Sequence, residues 1–167
     1  DQVIFACHAD EAINMLESPS QDVRDIIGAF SYQDNEIIVH RDESFMPARK
    51  KSWASWIYLS ERRSDKNSAV ALTYWMNNLQ PLNTETPVLV TLNPERRPEQ
   101  ALIYDEHKFS HPVFDLKAIK AQSRIHEIQG KDGFWFCGAY QRYGFHEDGL
   151  LSAVNVAKAM GIEIPWE

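Results

Sequence analysis

Phe134-Trp135-Phe136-Cys137-Gly138-Ala139-Tyr140, then Gly144-Phe145-His146-Glu147-Asp148-Gly149 and the run Leu150 to Met160, form the stretch from which the rest of the chain is read. The first run is short, aromatic and apolar, which predicts a buried strand. The last run places Leu150, Ala153, Val154 and Ala157 at i, i+3, i+4 and i+7, one face of a helix. Gly161 is its stop signal, and Pro165 lies beyond. A glycine-punctuated turn between a strand and a helix N-terminus brings backbone N–H groups to an electron-rich ligand. Glycines suit it because a Cβ would block close approach. As a plain helix entry, the same residues read as Asp148 at the N-cap with Gly144 and Gly149 in the turn.

Outward from there, Val3 to Cys7 reads as a second short buried strand. A helix from Asp10 to Glu17 follows, capped by Asp10, with Ala12, Ile13 and Leu16 facing inward. Ser20 to Phe30 is predicted helical, with Val23, Ile26 and Ile27 apolar and Gly28 weakening the pattern without stopping it. Strands are predicted at 35–41, 52–59, 69–76, 87–92 and 100–106, all rich in β-branched and aromatic residues. Asn77 to Leu82 reads as a helical turn. Leu116 to Ile128 reads as a helix with Ile119, Ile125 and Ile128 inward. Successive strands without long helices between them predict an α+β fold. Its sheet is mainly antiparallel or mixed, of about five strands, with helices on one face.

The 167 residues suffice for a real core without staples. Lys plus Arg is 17 against 24 for Asp plus Glu, a net charge of −7 that argues against a nucleic-acid partner. Cys7 and Cys137 both sit in apolar runs, which reads as buried thiols in a reducing compartment and predicts a cytoplasmic protein. No apolar run reaches the ~18 residues of a transmembrane helix. The chain opens without Met straight into a strand, so it is expected to belong to a longer protein.

Residues Gly138-Ala139-Tyr140 and Gly144-Phe145-His146-Glu147-Asp148-Gly149-Leu150-Leu151-Ser152-Ala153 resemble the C-terminal flavin motif of the FAD-dependent amine oxidase superfamily. They are most similar to bacterial proteins described as predicted NAD/FAD-binding amine oxidase-like oxidoreductases. In that superfamily the C-terminal helix points its N-terminus at the pyrimidine end of the flavin. The strand ending in Ala6-Cys7-His8 resembles the segment by which the chain returns to the FAD domain, with His8 in place of a commoner residue. His8 is read either as a cofactor or substrate contact or as a helix-entry histidine. Tyr74 to Gln80 and His111 to Phe114 resemble the same bacterial subgroup. The resemblance implies flavin contacts at Ala6, His8, Gly138, Ala139, Tyr140, Gly144, Phe145, His146, Glu147, Asp148 and Gly149. It also implies a substrate domain over 21–128, inserted between FAD-domain pieces at 1–20 and 129–167.

The seven glycines supply no Gly-x-Gly-x-x-Gly, which the ADP half of FAD needs. The chain by itself is therefore expected to hold no FAD tightly, to be inactive, and to self-associate as a dimer through surfaces a dinucleotide-binding half would cover. Other chemistries lack support. His40, Asp42 and Glu43 read as a strand end and turn rather than a zinc site. His107 and His111 stand at i and i+4, but Pro112 argues against a helix there. No nucleophile elbow or P-loop occurs. Aromatic walls suit a flavin enzyme, whose protein orients substrate and excludes water. Trp56, Tyr58, Tyr74 and Trp75 are candidates for such a wall, or else sheet-core aromatics. The expected activity is hydride transfer from substrate to flavin. Alternatives are a flavin-dependent desaturase or isomerase on a lipid-like chain, and a non-catalytic α+β binding module.

Overall fold

The structure is a computed structural model that describes residues 1–58 and 71–166. Leu59, Ala69 and Val70, the ends of two predicted strands, lie outside the described residues. The chain divides into two compact units, Asp1–Gln33 with His111–Glu167, and Asp34–Ser110.

In the first unit, β1 (Val3–Phe5) and β7 (Phe134–Phe136) pair in parallel, Val3 opposite Phe134 and Phe5 opposite Phe136. The adjacency expected of these two distant strands is present. Phe5 and Phe136 stack at 5.3 Å, and Phe134 tilts against Phe5 at 5.9 Å. Three short helices close over them: α1 (Ala9–Met15), α2 (Gln21–Ile27) and α4 (Leu116–Gln122). Ala9, Ala12, Val23, Ile26, Ile27, Ala118, Ala121, Ile125 and Ile128 join the phenylalanines in one core. α2 and α4 thus pack in the same unit as β1 and β7, and the units divide near 33 and 110 rather than near 20 and 128. Their apolar stripes are spent on this core.

Several boundaries differ from the sequence reading. His8, not Asp10, is the N-cap of α1, and Glu11 accepts the His8 N–H at 3.2 Å. α2 ends at Gly28, whose N–H closes on the Arg24 carbonyl. α4 stops at Gln122 and a 3₁₀ turn covers Ile125–Glu127. Ile119 is exposed, because the small Ala118 and Ala121 take the core side and let the helix approach closely.

The outer edge of β7 is covered by side-chain amides. Gln129 both donates to the Phe136 carbonyl at 2.6 Å and accepts the Phe136 N–H at 2.8 Å, as a neighbouring strand would. Gln141 adds a second donor to that carbonyl at 2.7 Å. A strand edge left bare would be an association hazard.

The second unit carries a five-stranded sheet in the order β3 (Trp56–Ile57), β4 (Leu72–Trp75), β5 (Leu89–Leu92), β2 (Ser31–His40), β6 (Ile103–Val113). β2–β5, β4–β5 and β3–β4 are antiparallel. The two long strands, β2 and β6, continue past the unit's limits. The predicted strand 52–59 shortens to β3 because Lys50–Ser52 forms a 3₁₀ turn, and Gln100–Leu102 likewise turns before β6. The helical turn expected after β4 is α3 (Met76–Leu79). Asn77 holds the β4–β5 connection by donating to the Thr84 and Thr86 carbonyls and accepting the Val88 N–H at 2.7 Å.

Candidate functional site

The carboxyl ends of β1 and β7 leave the pair side by side. The Cys137 N–H donates to the Phe5 carbonyl at 2.9 Å, and the chain runs on through Ala6-Cys7-His8 on one side and Gly138-Ala139 on the other. Gly138 is required by packing, since a Cβ there would lie 2.5 Å from the Tyr140 ring. Its N–H donates to Ser152 Oγ at 2.8 Å, and that hydroxyl donates to the Gly149 carbonyl at 2.7 Å. This pins the strand end to the first turns of α5 (His146–Ala159). A 3₁₀ turn at Ala139–Gln141 and Gly144, at φ +89°, bring the chain round to the helix start.

Phe145 is the N-cap of α5, and Asp148 sits in its first turn rather than at the cap. The Asp148 carboxylate is buried and accepts the N–H groups of Tyr143 and Phe145 at 3.2 and 3.1 Å, with Arg142 at 3.6 Å. The inward stripe of α5 is Asp148, Ser152 and Val156. The expected stripe through Leu150 and Ala153 is not the buried one; Leu150 is 47% exposed. Counting apolar residues alone missed a stripe that begins with two hydrogen-bonded polar groups. Gly149, by contrast, has room: its Cβ would meet Ala139 at 3.8 Å, an ordinary contact.

The predicted cofactor residues fall into two groups. Gly138, Ala139 and Gly149 are half-buried where the strand end meets α5, and Gly144, Phe145, His146 and Glu147 are exposed around the helix start. Tyr140 is a core side chain, edge-on to Phe30 at 4.8 Å, and burial raises its phenol above the ordinary range. Ala6 and His8 are exposed at the end of β1. The His8 ring stacks on Tyr32 at 4.5 Å, and Tyr32 Oη accepts the Ala9 N–H at 2.8 Å. Burial pushes the Tyr32 phenol up to about 12. Burial also raises both thiols, Cys7 and Cys137, so neither is an activated nucleophile. Tyr32 and Ser152 escaped the sequence reading because each acts across more than a local window.

In the second unit the register sorts the candidate aromatics. Trp56 stands opposite Tyr74, Tyr74 opposite Val90, and Val90 opposite Val39. Leu72, Leu92 and Ile37 form the next row on the same face, to which alternation adds Tyr58. These eight positions are all apolar or aromatic; Trp56 is 61% and Tyr58 55% exposed, and the rest are half-buried. Trp75 falls on the opposite face, edge-on to Trp53 at 5.2 Å. Trp56, Tyr58 and Tyr74 are thus brought together and Trp75 is not.

His107 and His111 both lie in strand β6, not on a helix. Among the described residues no three His, Cys, Asp or Glu side chains cluster as metal ligands. No helix among them is long and apolar enough to cross a membrane.

No family model matches the chain. No curated protein matches it either. Among solved structures it is similar to a CLA-producing fatty acid isomerase from P. acnes, at a TM-score of 0.61 and 11% sequence identity. The match covers 97% of this chain and 42% of the isomerase chain, so this chain spans less than half of that protein's length. At this identity the likeness concerns the fold.

Proposed function

We propose that this chain supplies the flavin-ring end of the cofactor site and the substrate-facing sheet of an FAD-dependent enzyme, and that the enzyme isomerises or desaturates a lipid-like chain. The open face of the five-stranded sheet carries the substrate class. Its two rows place Trp56, Tyr74, Val90 and Val39 beside Tyr58, Leu72, Leu92 and Ile37, with no charged side chain among them. An acyl chain gains affinity from apolar area along its length, about 25 cal/mol per Å² removed from water. The fold likeness to a fatty acid isomerase supports the same reading over amine oxidation.

The residues at the strand ends fit the ring end of a flavin. Gly149 has no packing reason to lack a side chain and leaves an open place beside Ala139. The first N–H groups of α5 are the free donors that a helix start presents, and its positive end favours negative charge. Asp148 does not oppose this strongly, because its carboxylate is turned to Tyr143, Phe145 and Arg142. FAD held there supplies a ring that accepts and returns a hydride. Gly138, Ala139 and the first turn of α5 would hold the ring end, with Ala6 and His8 beside it. The adenosine half needs a glycine-rich loop that these 167 residues do not contain.

The test uses the whole protein. A flavin absorbance spectrum is expected, together with movement of double bonds in a long-chain polyunsaturated fatty acid, followed as conjugated-diene absorbance. Trp56→Asp should abolish turnover and leave the flavin bound. Gly149→Leu should lose the flavin. A colourless protein, or one that oxidises amines and leaves the fatty acid unchanged, overturns the proposal.

A further inference from the structure

The two apolar rows on the open face of the sheet have a third beside them, and that row ends in a charge. The ladder runs on past the strand ends: the Met76 N–H donates to the Val88 carbonyl at 2.9 Å, and the Arg41 N–H donates to the Leu102 carbonyl at 2.9 Å. Val90 stands opposite both Val39 and Tyr74, so two residues further along each strand Arg41, Val88 and Met76 come level. Alternation gives them the face of Val39, Val90 and Tyr74. Burial agrees at the end of β2: Ile38, His40 and Asp42 are buried, and Arg41 between the last two is exposed. Met76 and Val88 are half-buried, like most of the rows before them.

Arg41 is the one charged member of these three rows. Its neighbours in the chain do not neutralise it. Asp42 lies on the closed side, where its carboxylate accepts from the Ser44 N–H, the Ser44 hydroxyl and the Glu99 N–H and feels the charge of Arg96. Glu43 pairs with Lys50 at 3.4 Å. Glu36 and Glu106 both pair with Arg97. Among the described residues Arg41 makes no ion pair and no ring contact. An apolar face bordered by such a guanidinium suits a molecule with a long apolar body and an anionic end. The planar fork of an arginine takes a carboxylate by two parallel hydrogen bonds.

We propose that Arg41 holds the carboxylate of the substrate's acyl chain, whose hydrocarbon lies over Val39, Val90 and Tyr74 toward Ile37, Leu92 and Leu72. Arg41 is then a specificity residue that fixes which end of the chain lies where and takes no part in the chemistry. The inference rests on the lipid-like substrate proposed above and adds the group that recognises its acid end. The test compares a long-chain fatty acid with its methyl ester in equilibrium binding to the whole protein at neutral pH, read from tryptophan fluorescence. Wild type should bind the acid about 10- to 100-fold more tightly than the ester, the range of a charge-assisted hydrogen bond. Arg41→Gln should bring the acid down to the ester's affinity and leave the ester's own affinity unchanged; Arg41→Lys should restore part of the gap. In turnover the same loss should fall on KM, with kcat held. Equal binding of acid and ester by wild type, or an acid preference that survives in Arg41→Gln, overturns the role of Arg41 and leaves the lipid reading standing. Binding of neither overturns the lipid reading itself, and this inference with it.

Discussion

On one face of the five-stranded sheet, Ile38, Leu89, Thr91 and His40 are closed to solvent. One residue along each strand, Val39, Val90, Leu92 and Tyr74 face the other way and are only half-buried, and Trp56 is mostly exposed. The closed face includes a histidine and two threonines; the two rows of the open face that run from Trp56 to Val39 and from Tyr58 to Ile37 hold only apolar and aromatic side chains. This inverts the usual antiparallel pattern, in which the wet side is the polar one. Polar groups are tolerated on the closed face because they satisfy one another, His40 to Thr91 and Asp42 to Ser44 and Glu99. An apolar face that stays open has no such account among the described residues, and large exposed apolar patches mark sites where something binds.

The largest expected effect tests the closed face. Leu89→Ala removes a fully buried side chain and should cost about 2–5 kcal/mol, read as a lower urea midpoint with unchanged slope. If it costs no more than an open-face substitution, the two faces are not distinct.

Next comes acid. Burial holds the His40 imidazole down, to about 4 from an ordinary 6.5; Arg96 adds to this and Asp42 opposes it. The unfolded chain therefore binds more protons between these values. The stability contributed by neutral His40 is fully present above pH 6.5 and is lost as the pH falls toward 4. The loss should be on the order of 1–3 kcal/mol, seen by denaturant titration across that window. His40→Leu should flatten the dependence; a variant with the wild-type slope would show that another group is responsible.

The smallest effects belong to the open face and to α5. Gly149→Ala should stabilise the chain by about 0.5–1 kcal/mol, because glycine within a helix is costly and the methyl has room. The same change should weaken flavin retention in the whole protein. Trp56→Ser should alter stability by no more than about 0.5 kcal/mol, since the side chain is largely in water already. A loss of several kcal/mol would mean that Trp56 is structural, and would remove the sheet face from the substrate argument.

The pieces of the fold with a local signal were legible. Val23, Ile26 and Ile27 placed α2, and alternating β-branched residues placed the strands. Pairing of β1 with β7 was reached through the family resemblance and not through any spacing. Where the reading slipped, short-range chemistry was overruled by packing. Ala118 and Ala121 outcompeted Ile119 for the core, and Asp148 and Ser152 took the inward side of α5 that apolar counting assigned to Leu150 and Ala153. Of the aromatic candidates, the sequence proposed four together; alternation sets the neighbours Tyr74 and Trp75 on opposite faces, and only register shows that Tyr74 is the one beside Trp56 and Tyr58.

By itself the sequence determined the α+β class, the glycine turn before α5 and the absence of a dinucleotide loop from these residues, because each is written in neighbouring residues. The tertiary structure alone decided which face of the sheet is open and that Gln129 stands in for a strand beside Phe136. Those depend on which groups meet across tens of residues. A hydrogen bond or a buried contact is fixed by distance in space, and no local periodicity encodes it.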